Sequence, residues 1–309
     1  MFIPQTSLDL SCTDYTCFKV ILDARRRSAA IKAGRSMPKA SKGNYHMVLK
    51  GNPGTGKTTV ARLIAKMLHA AGVLKTDKVI EVHRSSLVGE YVGQTGPKTR
   101  AKIDQARDGV LFIDEAYRLS QPTKSGQHDY GLEAIEELQQ AMDEENPPLM
   151  IFAGYPDAME GFVMSNPGLF RRISYPHIVF PNHSIENLAT ILSMEVIKQG
   201  FEMDLDQQDI VRVLRLNTST EQMASLNGSI GEKVFQHAKH SLNSRICESD
   251  MDPSVTLIRE DIEQGCKALP RPVTKQSANQ PPAHTQSQYL AKNVPQYNAD
   301  NLFSQPQPC

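Results

Sequence analysis

The chain has 309 residues, with 34 basic and 34 acidic side chains, 39% hydrophobic and 22% charged positions. Such a mixture builds a packed core over one large domain or two small ones, and the lack of a basic excess argues against nucleic acid as the main partner. No apolar run approaches the length of a membrane span, and Met1–Leu10 lacks the basic-then-apolar order of a secretion signal. The five cysteines, Cys12, Cys17, Cys247, Cys266 and Cys309, form no C-x-x-C pair. They read as reduced thiols of a cytosolic or nuclear protein, not as a disulfide frame or a zinc site.

Residues 1–22 carry no clear pattern. Asp23–Lys32 has helical spacing and holds Arg25, Arg26 and Arg27, read as a solvated face, and Ser36–Asn44 reads as a loop. From 46 to 181 strands and helices alternate. His46–Leu49 is an apolar strand. Thr58–Ala71 is a helix with Val60, Leu63, Ile64, Met67, Leu68 and Ala71 in one stripe, stopped by Gly72. Lys78–Val82 is a strand, and Lys98–Ala106 a helix opened by Pro97. Val110–Ile113 is apolar throughout, as a strand inside a parallel sheet should be. Leu132–Met142 is a helix with Ile135, Leu138 and Met142 on one face, followed by strands at Leu149–Ala153 and Ile178–Phe180. Alternation of this kind predicts a doubly wound α/β domain over 23–181, a parallel sheet with helices on both faces.

From 182 to 268 the spacing is helical: Ser184 caps a helix to Gln199 ended by Gly200, and further helices cover Gln207–Leu216, Ile230–Ile246 and Glu260–Ala268. These form a small helical domain. Residues 269–309, rich in Pro, Gln, Asn and Ser, have too little apolar surface to offset ordering entropy and read as a disordered tail.

Chemistry enters at Gly51-Asn52-Pro53-Gly54-Thr55-Gly56-Lys57-Thr58, which fits G-x-x-x-x-G-K-[ST] in full. Its glycines let successive backbone N–H groups turn inward on phosphate oxygens. Lys57 brings a positive charge to the β- and γ-phosphates, the Thr58 hydroxyl is suited to Mg²⁺, and Thr59 lies beside it on a helix whose N-terminus favours an anion. Placement between a predicted strand and a predicted helix is the context this pattern requires. Asp114 and Glu115 end the apolar strand Val110–Ile113, 56 residues beyond Thr58. Asp114 is expected to hold Mg²⁺ through water, and Glu115 to polarise an attacking water. The cofactors expected are therefore ATP and Mg²⁺.

These segments resemble AAA+ ATPases, and among them the CbbX/CfxQ group, related to the red-type Rubisco activase and the sporulation protein SpoVK. The resemblance runs from Asp23 to Ala268 and is carried by Gly51–Ala65, Leu87–Lys98, Gly109–Tyr117, Asp129–Glu137, Ala153–Tyr155, Asn166–Arg172 and Phe180-Pro181. It implies a ring, by family a hexamer, acting on a protein client. It implies that Arg171 or, in better alignment, Arg172 reaches a neighbour's nucleotide. It also implies that Tyr91-Val92-Gly93 forms an aromatic pore loop, and that Tyr155 stands where many relatives have a polar sensor. Three departures follow from the same comparison: residues 8–20 match the adenine-enclosing G-L-x-x-V-K-like segment poorly, the arginine of the lid helix is replaced by Gly231, and the tail after 269 has no counterpart in the family pattern.

Two other readings use the same residues. An ATP-binding scaffold with weak hydrolysis would follow from the missing lid arginine. A small-molecule P-loop kinase would transfer phosphate to an acceptor, but Glu115 and Arg172 weigh against it, since a water-polarising carboxylate and an arginine given to a neighbour serve hydrolysis in a ring.

Overall fold

A computed structural model describes residues 22, 26, 29, 30, 33–35, 45–121, 130–173, 177–246 and 255–271. The expectations for 1–22, for the Arg25–Arg27 cluster and for the Pro/Gln-rich tail fall, apart from Leu22, Arg26 and residues 269–271, outside the described residues.

Five strands, β1 (Met47–Gly51), β2 (Val79–Val82), β3 (Val110–Ile113), β4 (Leu149–Gly154) and β5 (His177–Phe180), make one parallel sheet in the order β2-β3-β4-β1-β5. In the centre Leu49 lies opposite Ala153 on one side and Ile178 on the other. The chain leaves β1 for the far edge, returns through β3 and β4, and crosses β1 to reach β5. The winding therefore reverses beside β1, and ligands of open α/β sheets bind outside the carboxyl ends of strands at such a point. β3 and β4 are buried along their whole length, as strands covered on both faces must be.

Helices α1 (Lys57–Ala70), α2 (Arg84–Leu87), α3 (Thr95–Gln105), α4 (Tyr130–Met142), α5 (Pro156–Ser165) and α6 (Pro167–Arg172) accompany the sheet. Side chains alternate along β1, so Met47 and Leu49 join Ile64 and Leu68 of α1 in one buried cluster, while Val48 joins Ile135, Leu138 and Phe162 in another. The stripe expected on α1 is too wide. Ala61, Ile64, Ala65 and Leu68 are buried, but Leu63 and Met67 are 52% and 44% exposed. One helix laid on a sheet buries only the arc facing it, and those two residues lie at its margin.

α3 begins at Thr95, ahead of Pro97. The proline occupies the third helical position, where the N–H it lacks would have no partner within the helix. α5 and α6, absent from the expected elements, each begin on a proline, and Asn166 caps α6 by accepting from Gly168 and Leu169 N–H at 3.1 and 3.2 Å.

Beyond β5 come α7 (Ile185–Lys198), β6 (Glu202–Met203), α8 (Gln207–Asn217), α9 (Thr220–Leu226), α10 (Ser229–Arg245), β7 (Thr256–Leu257) and α11 (Arg259–Lys267). Ser184 caps α7 by accepting from Asn187 N–H at 3.3 Å. α9, also missing from the expected set, is opened by a reciprocal Ser219/Gln222 capping box. The expected stripe Ile230, Val234, Ala238 and Leu242 of α10 is buried against Leu192, Ile210 and Leu214, a cluster separate from the two around the sheet.

Candidate active site

The chain turns from β1 into α1 through residues 52–56. Gly54 and Gly56 take φ of +72° and +89°, backbone angles that cost an L side chain roughly 1–2 kcal/mol. They curl the loop so that the first N–H groups of α1, which have no partner inside the helix, open into its hollow. Lys57 is half-buried beneath. Its Nζ donates to the carbonyls of Gly51 and Asn52, both at 2.9 Å, and Thr55 Oγ1 donates to Asn52 O at 2.8 Å. Burial lowers the Lys57 pKa, while the charges of Asp114 and Glu115 act against that shift. Gly51, Pro53, Lys57, Asp114, Glu115, Gly154 and Tyr155 line one cavity of about 90 Å³, so the carboxyl ends of β1, β3 and β4 converge there. Thr58 is half-buried on the first turn of α1, and Thr59 is exposed.

Asp114 N–H donates to Val82 O at 2.9 Å, continuing the β2–β3 ladder, and its Oδ1 accepts the Glu115 N–H at 2.9 Å. Glu115 sits at φ +48°, a left-handed conformation unusual for this residue type. Its carboxylate meets Arg118 Nε at 3.0 Å and Arg118 Nη2 at 3.1 Å, and accepts from Tyr117 Oη at 3.2 Å. The Tyr117 ring lies 5.9 Å from that of Tyr155. Arg118 and Tyr117 escaped the sequence reading; their place on the turn Ala116–Ser120 directly after Glu115 was the available signal. The donors suited to a metal here are the Thr58 hydroxyl and the Asp114 carboxylate. Oxygen atoms, few in number and beside a phosphate cradle, fit Mg²⁺, which keeps several waters and shares substrate phosphates. No cluster of three His, Cys, Asp or Glu able to hold a metal occurs among the described residues.

The two arginines of α6 differ. Arg172 Nε donates to Asp143 Oδ1 at 2.9 Å and Arg172 Nη1 to Gly168 O at 3.0 Å, whereas Arg171 is exposed. The resemblance singles out Arg172, yet that guanidinium is held by its own chain. Tyr91 and Val92 are 68% and 80% exposed at a loop tip, with Gly93 at φ +78°. The base of that loop is tight, Gly89 N–H donating to Thr95 Oγ1 at 3.0 Å.

Gly231, expected to stand in place of the lid arginine, lies on the first turn of α10. A Cβ on Gly231 would sit 3.0 Å from Ile191 Cγ2, so this residue faces α7 inside the helical cluster and not the phosphate cradle. The residues that do meet the cradle are Gly228 and Ser229: Gly228 N–H donates to Gly54 O at 3.0 Å, and a Cβ on Gly54 would lie 3.0 Å from Ser229 Oγ. The loop is met by the start of α10, which begins at Ser229.

A glycine loop between a central parallel strand and a helix, with an acidic pair at the end of a neighbouring strand in a 2-3-4-1-5 sheet, defines a P-loop nucleotide-binding protein of AAA type. The family model "ATPase family associated with various cellular activities (AAA)" matches residues 47–173. The chain is 45% identical over 168 residues to Protein CbbX of Cereibacter sphaeroides, covering 54% of this chain and 53% of that protein. It is 44% identical over 172 residues to the chloroplastic ribulose bisphosphate carboxylase/oxygenase activase of Cyanidioschyzon merolae, covering 55% and 58%. It is 41% identical over 248 residues to the chromosomal Protein CbxX of Cupriavidus necator, covering 79% and 75%. In fold it is similar to the AAA domain of FIGL-1 in complex with ADP, with a TM-score of 0.56 at 18% identity over 84% of this chain and 83% of that one. The chain belongs to the CbbX/CfxQ family of AAA+ ATPases, and it spans little more than half the length of the first two of these relatives.

Proposed function

We propose that the chain binds ATP with Mg²⁺ in the cradle Gly51–Thr58, hydrolyses it, and uses the cycle to remodel a protein client as a ring-shaped oligomer, by family a hexamer. The observation that carries this is the single cavity in which Lys57 faces Asp114 and Glu115 beneath the glycine loop. Loop N–H groups and Lys57 hold the β- and γ-phosphates, and Thr58 and Asp114 hold the metal. Bound there, Mg²⁺ supplies charge neutralisation on the phosphate oxygens. Glu115 accepts a proton from the water whose oxygen attacks the γ-phosphorus as the bond to ADP breaks. Arg171 or Arg172 of a neighbouring subunit stabilises the charge that develops. Tyr91, Val92 and Gly93 contact the client, and residues 182–268 act as a lid on the 23–181 domain. The relative named an activase acts, by that name, on another enzyme; a folded protein is the kind of client proposed here. No described helix is long and apolar enough to cross a membrane, and a cytosolic or nuclear site of action belongs to this proposal.

A second reading, an ATP-binding scaffold that hydrolyses slowly, draws on two observations. The Glu115 carboxylate is occupied by Arg118 and Tyr117, and the lid turn presents Gly228 and Ser229 to the cradle instead of a cation. One experiment separates the two: direct ATP titration and steady-state turnover of the parent chain, Lys57→Ala and Glu115→Gln. The motor reading expects turnover in the parent, loss of binding in Lys57→Ala, and binding without turnover in Glu115→Gln. Tight ATP binding by a parent chain with no turnover at any subunit concentration selects the scaffold. Unchanged affinity in Lys57→Ala removes the phosphate site altogether.

A further inference from the structure

Two glycines meet back to back where the helical region touches the phosphate loop. Gly228 N–H donates to Gly54 O at 3.0 Å, and the approach is so close that a Cβ on Gly228 would lie 2.7 Å from Gly54 O. A Cβ on Gly54 would lie 2.4 Å from Leu226 O. Main chain rests on main chain, so a shift of one displaces the other without any side chain to absorb it.

The residue that builds this contact is Asn227. It is fully buried and takes φ +45° with ψ −131°, the backbone of the first central residue of a type II′ turn, where glycine is the favoured residue. An asparagine there is strained, and the strain is offset by what its amide does. Oδ1 accepts the His183 N–H at 3.1 Å, and Nδ2 donates to Ala224 O at 2.7 Å and to Asn182 Oδ1 at 3.3 Å. The first two partners, a pure donor and a pure acceptor, fix which end of the amide is which. Asn182 Oδ1 in turn accepts from Asn52 Nδ2, inside the phosphate loop, at 2.9 Å. One buried amide therefore ties the end of α9, the segment after β5 and both sides of the cradle into a single hydrogen-bonded unit.

We propose that Asn227 is a positioning residue of the nucleotide site: through the turn Asn227-Gly228 and through Asn182 it holds the loop Asn52–Gly54 in its phosphate-ready shape, and so makes nucleotide binding and lid docking one coupled equilibrium. This inference rests on the reading of the cradle as a nucleotide site. The coupling runs through backbone and amides, the start of α10 meeting the loop with Gly228 and Ser229. Because the contact is to the loop and not to the γ-phosphate, ATP and ADP are affected alike.

The test uses Asn227→Gly, which keeps the turn, relieves its strain and deletes the amide, and Asn182→Ala, which breaks the link to Asn52 at an exposed residue. Amide hydrogen exchange of the loop 51–58 is measured without nucleotide, ATP and ADP affinities are measured by titration, and thermal midpoints are recorded. The inference expects faster loop exchange in both variants. It expects a loss of roughly 10-fold in affinity for ATP and ADP together in Asn227→Gly, a smaller loss in Asn182→Ala, and no fall in the Asn227→Gly midpoint. Loop exchange and affinities within twofold of the parent in both variants overturn it, as does a lower midpoint with unchanged affinities, the mark of a merely structural residue. If Asn227→Gly does not fold, Asn182→Ala decides by the same exchange and affinity criteria. If the parent binds neither nucleotide, the reading of the cradle fails, and loop exchange alone still decides whether Asn227 shapes the loop.

Discussion

Acid should weaken this protein through one histidine at the root of the sheet. His46 precedes β1, is 4% exposed, and its Nδ1 accepts the Met150 N–H of β4 at 3.0 Å, so the ring nitrogen must be unprotonated to keep that bond. Burial pushes its pKa from 6.5 down to about 4. A depressed histidine pKa means that the unfolded chain binds the proton more readily. The stability this residue protects is thus intact above pH 6.5 and is lost as pH falls toward 4. Over that window the cost amounts to about 3 kcal/mol, or about 1.4 kcal/mol for each pH unit. Carboxylates also contribute: Asp143 and Glu144, held by Arg172 and Arg100, titrate below their ordinary range and lose their contribution as they protonate. They are common to parent and variant, so the difference isolates His46. Urea unfolding of the parent and His46→Gln at pH 7.5, 6.5, 5.5 and 4.5 gives the stability gap directly. The glutamine variant is expected to be the less stable at pH 7.5 and to close that gap, or reverse it, by pH 4.5. A gap that stays constant across the series would falsify the assignment. Because β1 runs straight into Gly51, nucleotide affinity of the parent should decline over the same pH range.

Arg171→Ala should keep ATP affinity and lose turnover, by on the order of 10³-fold or more if it serves a neighbour; mixing with Lys57→Ala chains should restore part of it. Arg172→Ala, which also breaks the pair with Asp143, should lower the thermal midpoint as well; if only Arg172→Ala stops turnover while Arg171→Ala runs at the parental rate, the exposed arginine is not the interface residue. Tyr91→Ala should leave basal turnover nearly intact and abolish any stimulation by a folded client protein added to the assay, and equal stimulation of parent and variant would remove the loop from client contact. Gly231→Arg, which restores the lid arginine that the family resemblance implies, should destabilise by about 1–3 kcal/mol through overpacking against Ile191. An unchanged midpoint with tighter ATP binding would refute the overpacking and support Gly231 as the lid-arginine position.

The sequence alone determined the five strands of the sheet and the longer helices, in their order. Buried parallel strands are runs of apolar residues, a P-loop is a contiguous stretch with glycines at set places ahead of a lysine, and Asp114-Glu115 ends a strand whose four apolar residues leave little choice of structure. Each of these signals is local, so each is legible one residue after another. The helices α5, α6 and α9, of ten, six and seven residues, were missed although their starts carried prolines or caps, because two to three turns offer few apolar positions to show a period. Tertiary structure alone decided which residues meet across the fold. The alternation of strand and helix does not say that Leu63 and Met67 face outward, that Arg172 is held by Asp143, or that Arg118 holds Glu115. It does not bring Asn52, Asn182 and Asn227 together over separations of 130 and 45 residues. Nor does it show that Gly228, and not Gly231, rests on Gly54, since helix spacing gives faces only relative to one another and the docking of α10 on the sheet domain chooses which face meets the cradle.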